Sequence, residues 1–170
     1  CTPPYACFFL DQLESSFMQT ETRKPLNWFR YIDDIFFVWT HGEDSLHKFM
    51  SNLNKFNKHI KITYDFSKEH IPFLDLNVSL AEGKLFFDLY IKSTDCHQYL
   101  HYTSSHPEHT KRSIVYSQTL RISKICSLEK DFQNHSSQLR HWFFQRGYPE
   151  KIVDTEMKKV KFSNNRKKQL

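Results

Sequence analysis

Apolar residues recur at Ala6, Phe9, Leu10, Leu13 and Phe17 of "PYACFFLDQLESSFMQ", the spacing of one helix face. Pro3 and Pro4 suit the start of that helix, and "TETRKP" ends the pattern. The stretch "NWFRYIDDIFFVWT" then reads as two strands, 28–32 and 35–39, joined at Asp33-Asp34. Apolar residues lie on both faces of these strands, so both faces are expected to be covered. Leu46, Phe49, Met50, Leu53 and Phe56 form one stripe over 43–59, an amphipathic helix. Glu43, Asp44 and Ser45 are its first-turn and capping residues. "IKITYDF" (60–66) reads as a strand. "IPFLDLNVSL" (71–80) and "KLFFDLYIK" (84–92) read as a hairpin about "AEG", where Gly83 can take a positive φ. Pro72 places the start of this hairpin at an edge or bulge.

From about residue 94 the period changes. "TDCHQYLHYTSSHPEH" is a polar, histidine-rich connection, and Pro107 opens a helix whose apolar positions run from Ile114 to Cys126. Ser127 is the expected cap of a second helix carrying Leu128, Phe132, Leu139, Trp142 and Phe143. In "RGYP", Gly147 closes that helix and Pro149 opens a third, with Ile152, Val153, Met157 and Val160. The pattern predicts an α+β chain, with antiparallel hairpins and helices over 1–93, an all-α bundle over 94–162, and a disordered basic tail over 163–170.

Charge sharpens this division. Residues 1–93 carry 10 Lys/Arg against 12 Asp/Glu, and residues 94–170 carry 14 against 7. A basic second part suits a polyanionic partner; a merely solvated basic surface is the plainer reading. No apolar run approaches the ~20 residues of a membrane span, so no membrane partner is expected. Cys1, Cys7, Cys96 and Cys126 are scattered, which suits reduced intracellular thiols; a nuclear setting is a further expectation that the cysteines do not carry.

The adjacent carboxylates Asp33 and Asp34 are the main chemical signal. Two charges ~4 Å apart repel by about 1 kcal/mol in water and about 4 kcal/mol at an effective dielectric of 20. A divalent cation offsets that cost, and oxygen-only ligands favour Mg²⁺ or Mn²⁺. A solvated hairpin tip is the alternative. One pair does not complete a two-ion site. Asp65, Asp75 and Asp88 are further carboxylates, each more simply an outward polar position. His97, His101, His106 and His109 with Cys96 have spacings possible for zinc. No close Cys pair completes a site there, so they read as hydrogen-bonded turn histidines or neighbours of phosphate.

Four stretches in order resemble one family. "YIDD", flanked by "FR" and "IFFVW", resembles the catalytic hairpin of reverse transcriptases. "TPPYACFFLDQLE" is similar to the tail of their palm motif "MAPSYANLFMxxLE". "IPFLDLNVSLAEGKLFFDLYIK" is similar to the primer-gripping hairpin. "KSTDCHQYLHYTSSHPEHTKRSIVYSQTLRISKICS" with "RGYP" resembles the post-palm region of Penelope-like retroelement enzymes, also described as a helix-turn-helix module.

The resemblance implies an RNA-directed DNA polymerase of a retrotransposon: part of a palm over 1–93, then a helical thumb or helix-turn-helix-like region over 94–162. It implies catalytic metal ligands at Asp33 and, more weakly, Asp34, for Mg²⁺ or Mn²⁺. Tyr31, Phe73, Leu74 and Asp75 are then nucleotide- and primer-binding. Lys111, Arg112, Arg121, Lys124, Arg140 and Arg146 are the candidates for backbone phosphates of an RNA template and DNA primer. On this resemblance, the family's fingers and the strand with its first metal-binding aspartate are expected ahead of residue 1, as further partners of this part. Without that aspartate, no polymerase activity is expected from this chain by itself. Cys7 stands where the family has Asn, and Val115 where a Pro is common; the second change lets a helix continue. The rival expectation is a non-enzymatic nucleic-acid-binding remnant that uses its helix-turn-helix-like part.

Overall fold

Two hydrophobic clusters with no shared member divide the chain into two compact units, 1–66 and 67–170. The computed structural model describes residues 3–162, so the expected tail over 163–170 lies outside the described residues. The chain is α+β, with five helices, two small antiparallel sheets and a helical C-terminal bundle among the described residues.

In the first unit, α1 (Pro3–Thr20) precedes a two-stranded hairpin, β1 (Asn27–Tyr31) and β2 (Asp34–Val38), and α2 (Glu43–Phe56) follows. Phe17, Leu46, Phe49, Met50 and Leu53 are buried together, and Trp28 and Phe37 close over them from one face of the hairpin. The Trp28 and Phe37 rings stack at 5.1 Å. The opposite face stays open: Phe29 is 56% and Tyr31 59% exposed, so these strands are covered on one side only. Among the described residues of this unit, a two-stranded sheet with one helical layer has no further element for its second face. Ser45 does not cap α2; Gly42 holds that place with φ 83°. The Ser45 hydroxyl instead donates to the His41 carbonyl at 2.6 Å and accepts from Trp39 Nε1 at 3.0 Å.

Residues 60–66 form no strand. No neighbouring strand pairs with them among the described residues. The Asn54 side chain fixes them instead, bonding both the N–H and the carbonyl of Ile62.

In the second unit the expected single strand over 71–80 is two: β3 (His70–Phe73) and β4 (Leu76–Ala81), with β5 (Lys84–Leu89) completing the order β3-β4-β5. Leu74 at φ 55° reverses the chain between β3 and β4. Glu82 and Gly83, both at positive φ, turn it again before β5, as a two-residue hairpin loop requires. Pro72 sits on edge strand β3, where its lost N–H costs no ladder bond.

Helices α3 (Glu108–Ile125), α4 (Glu129–Gln145) and α5 (Glu150–Met157) then pack around Val115, Ile122, Leu139, Phe143 and Val153. Val115 is fully buried in mid-α3, so the helix does continue through it. Ser127 is not the cap of α4, which is Leu128. Its backbone N–H donates to the Phe87 carbonyl at 2.8 Å, and its hydroxyl accepts the Phe87 N–H at 2.9 Å, tying the helices to β5. Whereas the sequence groups residues 71–92 with the first 93, these bonds hold β5 to the bundle.

Gly147 stands just past α4 at φ 77°, and a Cβ there would lie 3.3 Å from the His101 ring. Gly147→Ala is expected to cost about 1–2 kcal/mol from the left-handed backbone and to displace His101. A urea midpoint that falls at constant m-value checks it.

Candidate nucleic-acid interface

The acidic tip is built by hairpin geometry. Tyr31 pairs directly with Asp34, so the turn residues are Ile32 and Asp33, one position earlier than the pattern suggests. Asp34 therefore belongs to β2, on the exposed face that carries Tyr31 and Phe29, while Asp33 sits in the turn itself. Ile32 has φ 56°, a conformation that β-branched residues rarely adopt. Arg30 anchors the turn. Its Nη1 donates to the Ile32 carbonyl at 3.4 Å and its Nη2 to the Cys7 carbonyl of α1 at 3.3 Å. Arg30 Nε lies 2.7 Å from the buried Glu14 carboxylate. Burial pushes the Glu14 carboxyl up, and the Arg30 guanidinium opposes that shift. Neither Arg30 nor Glu14 stands out in the sequence, although "FRYIDD" places the arginine beside the tip.

The second candidate group, Phe73, Leu74 and Asp75, forms the β3–β4 turn. Asp75 is exposed and its Oδ2 lies 2.7 Å from Arg121 Nη2 of α3. Both line a cleft of about 290 Å³ with Lys92, His97, Tyr99 and Trp142, in which the His97 and Trp142 rings stack at 3.5 Å.

The six basic candidates are placed differently from one another. Arg140 of α4 is clamped by Asp154, at 2.7 Å, and by Glu150, and it lies over the Phe144 ring. Arg146 Nε donates to the Tyr99 carbonyl at 2.7 Å. These two arginines hold the turn between α4 and α5. Arg112 lies 3.4 Å from Glu108 and 3.6 Å from Glu156. Lys111 lies over the Tyr102 ring. Lys124 is exposed on α3. Exposed pairs contribute only ~0–1 kcal/mol, so Arg121 can exchange its carboxylate for a phosphate at little cost, whereas Arg112 also faces the buried Glu156 carboxylate. Lys151, Lys158 and Lys161 are exposed along α5 and just beyond it, with Thr155 between them. Spacings of four and three put Lys151, Thr155 and Lys158 on one helix face, a signal present in the sequence.

The Arg140 hydrogen bond holds the Asp154 carboxyl below the ordinary aspartate range. A depressed carboxylate stabilises the fold above its unfolded value, and that contribution disappears as pH falls through the lowered folded value. The thermal midpoint of the helical unit is therefore expected to drop on acidification below about pH 4, less steeply in Asp154→Asn. Calorimetry across the acid range checks this.

His97, His101, His106, His109 and Cys96 do not converge. His101 packs beside Gly147 and bonds Thr103, and His106 bonds Ser104. Cys7, Cys96 and Cys126 are free thiols. No helix of the described residues is long and apolar enough to cross a membrane.

Residues 98–158 match the family model of the animal helix-turn-helix domain. The matched span covers the end of the histidine-rich connection and all of α3, α4 and α5, with Arg146-Gly147-Tyr148-Pro149 as the turn between α4 and α5. This part of the chain is a helix-turn-helix region. No curated protein and no solved structure matches the chain.

Proposed function

We propose that this chain is part of a retroelement reverse transcriptase, in which the β1–β2 tip holds divalent cation at a primer end and the helical unit holds the template–primer duplex. The observation that carries it is the acidic hairpin tip, Asp33 in the turn and Asp34 at the first position of β2. Asp33 and Asp34 stand at a tight hairpin tip, beside an isoleucine held at φ 56° and braced by Arg30. Strained positions of this sort cost about 1–3 kcal/mol and gather at functional sites. The order of the four resembling stretches and the helix-turn-helix match over 98–158 support the same reading.

The donor set suits Mg²⁺ or Mn²⁺: two carboxylates, exposed, with no sulfur or imidazole beside them in the turn. Bound there, the ion would supply charge neutralisation for phosphoryl transfer. Asp33 and Asp34 would hold it, and Tyr31, opposite Asp34, would meet the nucleotide or primer end. No third carboxylate joins the pair among the described residues, so this chain alone is not expected to extend a primer.

Sequence-tolerant duplex binding falls to phosphate contacts. Lys151, Lys158 and Lys161 carry it, with Arg112, Arg121, Lys111 and Lys124. Arg140 and Arg146 instead keep the helix-turn-helix turn in shape. Phe73, Leu74 and Asp75 act as the primer-side hairpin, with Asp75 giving up Arg121 to a phosphate.

A second reading, a nucleic-acid-binding protein without polymerase chemistry, is favoured by one observation: the family match lies wholly in the helical unit. Photocrosslinking from the 3′ end of a DNA primer on an RNA template separates the two. Crosslinks at 29–36 support the polymerase reading. Crosslinks confined to 108–162 support the second.

A further inference from the structure

Asp88 near the end of β5, Cys126 just after α3 and His135 in α4 bring three different donor types to one point. All three ligand atoms lie within 4.8 Å of one another, and no other group of three potential metal-binding side chains does so among the described residues. His135 Nε2 lies 2.8 Å and Cys126 Sγ 3.6 Å from the same oxygen, Asp88 Oδ1. That oxygen also accepts the Leu89 N–H at 2.8 Å. Three donors crowd one carboxylate oxygen, two of them side chains that can present a lone pair instead of a proton. His135 Nδ1 is buried without a hydrogen-bond partner, so no second bond fixes the ring's tautomer. Cys126 is 2% exposed, while Asp88 keeps 36% of its side-chain surface, leaving an approach for an ion and a water.

We propose that Asp88, Cys126 and His135 form a zinc site that staples β5 to the end of α3 and to α4, with the fourth position open to water. Thiolate, imidazole and carboxylate together are a zinc donor set. Binding displaces the thiol proton to solvent and shifts the imidazole proton to Nδ1. The thiolate and carboxylate charges then balance the ion, which a half-buried site requires. The site is separate from the acidic tip in chemistry and position in the chain, and it stands whether or not the chain is a polymerase part.

The test uses the whole chain, stripped with a chelator and titrated with Co²⁺, then Zn²⁺. About one ion per chain is expected, with a thiolate-to-cobalt charge-transfer band and visible bands of tetrahedral strength, both removed by Zn²⁺. Zinc at about 100-fold over Kd is expected to raise the thermal midpoint by on the order of 10 °C. Cys126→Ser should lose the charge-transfer band and Cys96→Ser should keep it. No band from the unmodified chain at saturating Co²⁺ overturns the proposal and leaves the three residues as a hydrogen-bonded staple. A band that survives Cys126→Ser, or vanishes with Cys96→Ser, places the metal elsewhere and overturns it equally. The unmodified chain decides the first point, so a variant that fails to fold does not shield the proposal.

Discussion

Phe143→Ala is expected to destabilise the helical unit by about 3–5 kcal/mol, the usual cost of removing a fully buried phenylalanine. Phe143 is 0% exposed. Its ring stacks on Tyr99 from the histidine-rich connection at 4.9 Å and meets Tyr148 from the turn at 4.9 Å. The same residue packs with Val115 and Ile122 of α3 and Val153 of α5. Alanine therefore leaves a cavity where the connection, all three helices and the turn converge, and both ring contacts vanish with it. Burial pushes the Tyr99 and Tyr148 hydroxyls up. Against a total stability of ~5–15 kcal/mol, such a loss leaves little or no folded unit at 37 °C. Urea unfolding followed by far-ultraviolet circular dichroism measures it. A change under about 1 kcal/mol would mean that the three helices do not share one core.

Lys151→Glu/Lys158→Glu/Lys161→Glu is expected to weaken binding of an RNA–DNA hybrid by at least about 100-fold at 0.1 M salt. Each phosphate contact contributes about 0.9 to the slope of log K against log salt, which near 0.1 M is close to tenfold in affinity. Neutral replacement of all three should lower the slope by about 3. Arg140→Ala should behave differently. Its guanidinium is held by Asp154 and Glu150, so its loss should lower stability and leave the salt slope nearly unchanged. Fluorescence anisotropy across 50–300 mM salt reads both. Equal slopes for the lysine variant and the unmodified chain would remove α5 from the interface.

Much of the fold is legible because its determinants are local. The stripes over α1 and α2 and the Gly147–Pro149 punctuation between α4 and α5 each depend on residues within a few positions. What depends on distant partners is not legible. Residues 60–66 alternate like a strand, but a strand needs a neighbour, and none pairs with them among the described residues. Leu74 gives no turn signal, since leucine rarely takes positive φ, so β3 and β4 read as one strand. Ser127 looks like a cap and bonds β5 instead. The acidic tip is visible as "YIDD", yet its exact register, with Asp34 paired to Tyr31, is not. Candidate phosphate-binding arginines follow from charge, whereas the ion pairs of Arg140 do not, because its acidic partners lie 10 and 14 residues away. Asp88, Cys126 and His135 share no spacing motif; only the fold brings them together.

The proposed binding of a divalent cation by the acidic tip at a nucleic-acid end is tested most directly by metal-directed cleavage. Fe²⁺ substituted for Mg²⁺, with peroxide and an RNA template carrying a recessed DNA primer, cuts polypeptide next to the bound ion. Cleavage is predicted within residues 31–35, dependent on the primer–template and lost in Asp33→Asn/Asp34→Asn. Cleavage absent from the hairpin, or undiminished without the two carboxylates, would contradict the claim.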